Sequence, residues 1–279
     1  TGIREPRFAI FWRPQKRHTV PKTLVGNTPG ERGTFFVFLG LILAGLALYL
    51  PTLQPTFTWY NSAEFSIAGL TLDVPHQPGY PLFTRLANLF VQIPFFADLP
   101  KRINLLSALA GILSGTMLGL WLRQQGVGAL TAFAAGLWML IFPTFWEMAT
   151  QAEAYTLETL LLMIVLLYVD RLRRTDFTFF NGFFAGALSL LAIGHRPTMG
   201  LFLVGFLFIL IAREGYHRFL SSRGLLGFCL GAVVGAVPIM DLFLRLQSPH
   251  RQLIDPLIGQ GFDGFWKFFT AADFRKALG

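Results

Sequence analysis

The sequence predicts an all-α integral membrane protein of about seven transmembrane helices, with an outer-face first loop that carries an interfacial helix. Three observations predict it: the composition, the spacing of the apolar stretches and the distribution of Lys and Arg. Hydrophobic residues make up 53% of the 279, charged residues only 14%, and the mean hydropathy is +0.54. A soluble domain carries about 25% charge, so lipid must serve as part of the solvent here. Thirty Phe and six Trp suit a lipid face and an interfacial aromatic belt.

The stretch 34–50, "TFFVFLGLILAGLALYL", is the first expected span, and Pro51 and Pro55 end it. Further apolar stretches at about 103–122, 128–146, 155–170, 177–194, 198–212 and 224–244 complete the seven. Residues 81–97 are interrupted by Arg85, Asn88 and Gln92, which predicts an interfacial or re-entrant helix instead of a span. The small residues four apart in "GAVVGAVP" predict close helix packing. The single cysteine, Cys229, excludes an internal disulfide and reads as a buried hydrophobe.

The net charge of +8 does not read as a nucleic-acid surface, because the basic residues sit between apolar stretches. With the N-terminus in the cytoplasm, the inner segments hold 14 of the 23 Lys and Arg, including the loops "RLRRTD" and "REGYHRFLSSR". Counting 81–97 as a span would move those loops outside, against the positive-inside rule. The expected organisation is a basic cytoplasmic tail over 1–33, a transmembrane module over 34–244 with its outer loop at 51–102, and an outer-face segment over 245–279. The expected location is a bacterial inner membrane, with lipid as the constant partner.

This topology puts Glu64, Asp73, His76, Glu147, Glu153, His195 and Arg196 on one outer face. Glu64 lies just beyond the first span, and twelve residues later His76 stands within a Pro-His-Gln-Pro-Gly-Tyr-Pro run, a loop stiffened by prolines where Gly79 permits a tight turn. That loop reads either as a polar site or as a solvated surface turn. In "QAEAYTLE", Glu153 also fits a favourable helix-dipole position beside Tyr155, whereas Glu158 lies inside a span, where ionisable groups are costly. His195 and Arg196 end a span; Arg196 either snorkels to lipid or binds a phosphate bidentately. Asp241, Arg245 and Asp255 are candidates for ion pairs. No nucleotide-loop, dinucleotide or zinc motif is present, and no metal or cofactor is expected.

The strings "NSAEF", "HQPGYPLF", "RINLLSALAG", "QAEAYTLETLLL" and "GHRPTM" stand in order. Together they resemble a multi-span family that includes the eukaryotic transmembrane protein O-mannosyltransferases, over roughly 34–212. The resemblance implies a GT-C-like fold and a glycosyltransferase that uses a polyprenyl-phosphate sugar on the extracytoplasmic face, with a protein or lipid acceptor. It implies Glu64 as general base, with Asn61, His76, Glu153, Tyr155, His195 and Arg196 around donor and substrate. Three positions depart from the family pattern. Asn61 stands where an Asp is usual, Ala63 replaces a Gly, and Gln77 replaces a Pro. Members also continue well beyond the seventh span, so an acceptor-binding region is expected to be missing. The alternative is a catalytically degenerate relative, retained as a structural subunit beside other membrane subunits.

Overall fold

The computed structural model describes residues 30–58 and 61–272, apart from the side chains of 213, 214, 217 and 218. Most of the expected basic tail therefore lies outside the described residues. The elements are α1 (Glu31–Tyr49), α2 (Ser62–Thr71), α3 (Pro81–Gln92), α4 (Leu99–Gln124), α5 (Ala129–Ile141), α6 (Pro143–Thr150), α7 (Tyr155–Leu172), α8 (Phe179–His195), α9 (Met199–Glu214), α10 (Ser222–Gly235), α11 (Val237–Leu246) and α12 (Gly261–Phe269). Among the described residues there is no strand. The protein is an all-α membrane protein.

Helix α4 is the central post. Its small residues, Ala108, Gly111, Gly115 and Gly119, let neighbours approach closely. A Cβ on Gly115 would lie 2.7 Å from Leu140, and one on Gly119 would lie 2.7 Å from Leu41. Helix α1 buries Val37, Leu41, Gly45 and Tyr49, spaced four apart, against α4 and α5. The Tyr49 hydroxyl donates to the Leu140 carbonyl at 2.9 Å, so its buried polar end is satisfied.

Among the described residues, three helical stretches are long and apolar enough to cross a membrane: α1, α4 and the continuous run Ser222–Leu246 formed by α10 and α11. The pair α5 and α6, bent by 64°, makes a fourth if it counts as one span. The bend follows from Pro143, which cannot donate to the preceding turn. The expected 128–146 stretch is thus two helices. Helices α7, α8 and α9 occupy the places of the remaining expected spans, but α8 and α9 are shorter, and α7 carries Glu158, Asp170 and Arg171. Length and composition alone therefore support three or four crossings.

The outer loop of the sequence reading contains two helices, α2 and α3, where one was expected. The polar residues of α3 have internal partners. Arg85 donates to Asp241 at 2.9 Å, Asn88 to the Gly69 carbonyl at 2.9 Å, and Gln92 to Asn88 at 2.9 Å. Phe83, Thr84 and Ala87 face inward, so α3 is amphipathic and anchored.

Helices α8 and α10 are the closest pair. A Cβ on Gly182 would lie 1.9 Å from the Gly224 carbonyl oxygen, and one on Gly231 would lie 1.9 Å from that of Phe183. The predicted small-residue packing is present and extends to Gly224 and Gly227. Cys229 is exposed, contrary to the buried placement expected, because the glycine stripe occupies the buried face of α10. Asp241 accepts from Arg245 at 3.0 Å as well as from Arg85, but Asp255 does not join them; it accepts from the Leu257 backbone at 2.8 Å.

Candidate active site

The site is organised by the turn between α2 and α3. Leu72, at φ 58°, ends α2 in a left-handed conformation, and Gly79, at φ 93°, turns the chain back toward α3. A side chain at Gly79 would strike Leu242 at 2.7 Å, so glycine is required there for space as well as for φ. Tyr80 follows at φ 40°, a costly conformation for a side chain of that size, and the fold holds it between Phe65, His76 and His195.

Glu64 sits in the first turn of α2 and reaches across to this turn. Its Oε1 accepts from the His76 backbone N–H at 2.6 Å, and its Oε2 lies 2.6 Å from His76 Nδ1. With Glu64 ionised, Nδ1 carries the proton and Nε2 is left as an acceptor. The Phe65 ring, 5.6 Å from the imidazole, holds it from behind. Both partners keep about a quarter of their side-chain surface exposed, at 25% and 29%, so the pair is held firmly yet reachable.

A cleft of about 540 Å³ opens over this pair. Asn61, Glu64, His76, Tyr80 and Arg196 line it, with Phe269 and Thr270 closing the far side. Arg196 follows α8 directly. Its Nη1 donates to Glu158 at 2.6 Å, and its guanidinium lies 5.3 Å from the Tyr155 ring centre. Those contacts fix the plane of the fork while other N–H groups remain for an anion. Burial pushes the Tyr80 hydroxyl up to about 12, so it stays a neutral donor.

Glu153 lies beneath the cleft, only 1% exposed. Neither of its carboxylate oxygens makes a full hydrogen bond. Burial raises its pKa from 4.5 to about 7, against the opposing pull of Asn61 and His76. His195 is fully buried behind Tyr80, with ring centres 6.0 Å apart and the Ala154 backbone as its polar neighbour.

Of the residues singled out from the sequence, Asn61, Glu64, His76 and Arg196 meet in the cleft, Tyr155 supports Arg196, and Glu153 and His195 lie behind the cleft wall. Asp73 is elsewhere: it accepts from the Gln252 and Leu253 backbones at 2.6 and 3.0 Å and anchors the segment after α11. Tyr80 was missed although it belongs to the same motif. Phe269 and Thr270 carried no sequence signal. Among the described residues, no group of three or more His, Cys, Asp or Glu could hold a metal ion.

A sequence-family profile described as the Protein O-mannosyl-transferase TMEM260 N-terminal domain matches residues 61–220, more than half of the chain. The chain belongs to the TMEM260 N-terminal domain family. The matched stretch contains every cleft residue from Asn61 to Arg196, whereas α10 to α12 lie beyond it. The chain is 31% identical to the mouse protein O-mannosyl-transferase TMEM260 over 136 residues, 48% of this chain and 19% of the mouse protein. It is 23% identical to the Dictyostelium discoideum protein of that name over 233 residues, 77% of this chain and 28% of the relative. The chain thus spans 19% to 28% of the length of these relatives. Both are eukaryotic, so they lend no support to a bacterial inner membrane. No solved structure matches.

Proposed function

We propose that this chain is the membrane-embedded catalytic module of a glycosyltransferase that moves a sugar from a polyprenyl-phosphate donor to an acceptor hydroxyl. The observation that carries the reading is the Glu64–His76 pair facing Arg196 across one open cleft. Glu64 takes the proton of the acceptor hydroxyl as its oxygen bonds to the sugar's anomeric carbon. The bond from that carbon to the phosphate oxygen breaks, and its electron pair leaves with the polyprenyl phosphate. Arg196 stabilises the charge that develops there. The relatives' names make mannose and a protein hydroxyl the first sugar and acceptor to test.

The seven-span reading, with a cytoplasmic N-terminus, belongs to this proposal. Arg171, Arg173 and Arg174 cluster at the end of α7 opposite Tyr155, and Arg173 and Arg174 pair with Asp170. The positive-inside rule then turns the cleft to the extracytoplasmic face. The residues behind the cleft support the fold of the site, and a protein or lipid acceptor would approach from the aqueous side.

A second reading, a degenerate subunit of a membrane complex, is favoured by Asn61, because an amide cannot serve as a base. The placement of Asn61 beside buried Glu153 offers another account. A carboxylate at 61 would repel Glu153, whereas an amide can hydrogen-bond to it. The test is transfer of mannose from a polyprenyl-phosphate donor to protein by the purified full-length protein. Transfer lost in Glu64→Gln supports the enzyme; no turnover by the unaltered protein with any such donor sinks it.

A further inference from the structure

The turn between α2 and α3 borders a second pocket. His76 and Tyr80 line the cleft, whereas Asp73 and Val74 line a separate space of about 320 Å³. Arg245 at the end of α11, with Ser248, His250 and Arg251 just after it, forms the opposite wall. One hydrophobic cluster borders both sites: Val74, which faces the pocket, and Phe269, which faces the cleft, belong to it. The basic residues of the pocket lie beyond residue 220, outside the stretch matched by the TMEM260 N-terminal domain.

The charged groups of this pocket are unequally satisfied. Asp73 accepts at Oδ1 from the Val74 N–H at 2.7 Å, and at Oδ2 from Gln252 and Leu253. Arg245 pairs with Asp241 at 2.9 Å and donates from Nη1 to the Asp73 carbonyl at 3.2 Å. Arg251 differs. Its side chain is only 7% exposed, yet its contacts are backbone carbonyls. Nε donates to Ser248 at 3.3 Å, and Nη2 donates to Ile258 at 2.8 Å and to Pro256. Its buried Nη1 has no hydrogen-bond partner among the described residues. Asp73 and Asp255 act on this guanidinium only through space. A buried cation that touches only carbonyls favours an anionic oxygen beside it. The two N–H groups on Nη1 suit a carboxylate, and the charge of Asp73 in the wall repels a phosphate dianion more than a monoanion.

We propose that this pocket seats a carboxylate on Arg251, and that the carboxylate is an acidic side chain of the acceptor polypeptide. The source follows from position. Pocket and cleft open beside one turn, with one cluster between them, so an extended chain whose hydroxyl lies at Glu64 can set a nearby side chain at Arg251. Exposed His250 stands at the pocket's mouth. The identity of the acceptor rests on the transferase reading; the carboxylate site rests on Arg251 alone.

The test uses the full-length protein in nanodiscs and fluorescent peptides with one Ser and one Glu, the Glu walked along the peptide. Binding is read by anisotropy with no sugar donor present, and each peptide is compared with its Gln counterpart. At the best position the Glu peptide should bind about tenfold more tightly than the Gln peptide. His250→Glu sets a repelling charge at the mouth and leaves the carbonyl contacts of Arg251 in place, so it should bring that ratio close to one. Arg251→Gln should do the same, and the ratio reports on the carboxylate where affinity alone would also report a loosened fold. In transfer assays the same preference should appear in KM and not in kcat. No preferred Glu position, or a preference that survives both variants, overturns the proposal. Free glutamate binding as tightly as the Glu peptide assigns the pocket to a small solute and overturns the acceptor assignment. A protein that prefers the Glu peptide but transfers nothing keeps the pocket and rejects the transferase. Transfer without any Glu preference does the reverse.

Discussion

Glu64 and His76 are joined at two points, both at 2.6 Å, one through the imidazole and one through the backbone N–H. One carboxylate therefore serves two purposes: it faces the cleft, and it fastens the turn that follows α2. Two effects of substitution should then be separable. Glu64→Gln keeps a carbonyl acceptor for one bond but removes the base, so transfer should fall by about 100-fold or more while thermal unfolding shifts little. Glu64→Ala removes both acceptors and should in addition cost about 1–3 kcal/mol of stability. Transfer assays paired with melting curves check this; equal melting losses in both variants would mean that Glu64 acts mainly as a fastener.

The α8–α10 contact sets the position of Arg196, because α8 ends at its neighbour His195. Gly231→Ala would put a Cβ 1.9 Å from the Phe183 oxygen, on backbone that has no easy way to yield. Overpacking of this kind should destabilise by about 1–3 kcal/mol, read as a lower melting temperature in detergent. Gly205→Ala is the contrast. It meets nothing within 4 Å and should stabilise α9 by about 0.5–1 kcal/mol through helix propensity alone.

Much of this arrangement was legible in the chain itself. Charge-free runs marked α1 and α4, and glycines four apart marked the α10 contact. The sequence marked Glu64 and the proline-rich run around His76 as one polar loop; their direct contact comes from α2 ending at left-handed Leu72, which brings His76 back to the first turn of that helix. What was not legible depends on distant parts of the chain meeting. No periodicity could show that Phe269 and Thr270 would close the cleft, since α12 gets there by packing Phe265 and Phe268 on Leu242 and Leu246. The same holds for His195. Its place at a span end puts it on the outer face, but Tyr80 turns back over it through an unusual backbone conformation.

Glu153 should make stability depend on pH. Its pKa is raised to about 7 in the fold by burial, with Glu147 adding to the rise and Asn61 and His76 opposing it. Between about pH 4.5 and 7 the folded chain keeps a proton that the unfolded chain has released, so stability falls as pH rises through that window. The full swing is on the order of 3 kcal/mol. Glu153→Gln mimics the protonated form, so its melting temperature should lose this slope and exceed that of the unaltered protein at pH 8. Parallel pH profiles for the two proteins would show that the carboxylate is paired in a way that keeps it ionised.

Arg196, on the cleft wall, and Glu158 form a partly buried ion pair, with side-chain exposures of 28% and 17%. Glu158 spends its charge on holding the guanidinium over Tyr155, and the fork's remaining donors are what a phosphate would meet. Arg196→Lys keeps the charge but loses the planar fork and the ring contact, so kcat/KM for the donor should drop by about tenfold. Arg196→Ala should drop it by roughly 100-fold and also leave Glu158 unpaired in an apolar setting. Glu158→Gln should do less harm to transfer than either, because the fork is loosened but not lost. A double-mutant cycle on stability for Arg196→Ala and Glu158→Gln should return a coupling of about 1 kcal/mol, the scale of a pair that still sees solvent. If Glu158→Gln instead abolished transfer while Arg196→Lys did not, the acid and not the guanidinium would be the group that acts on the substrate.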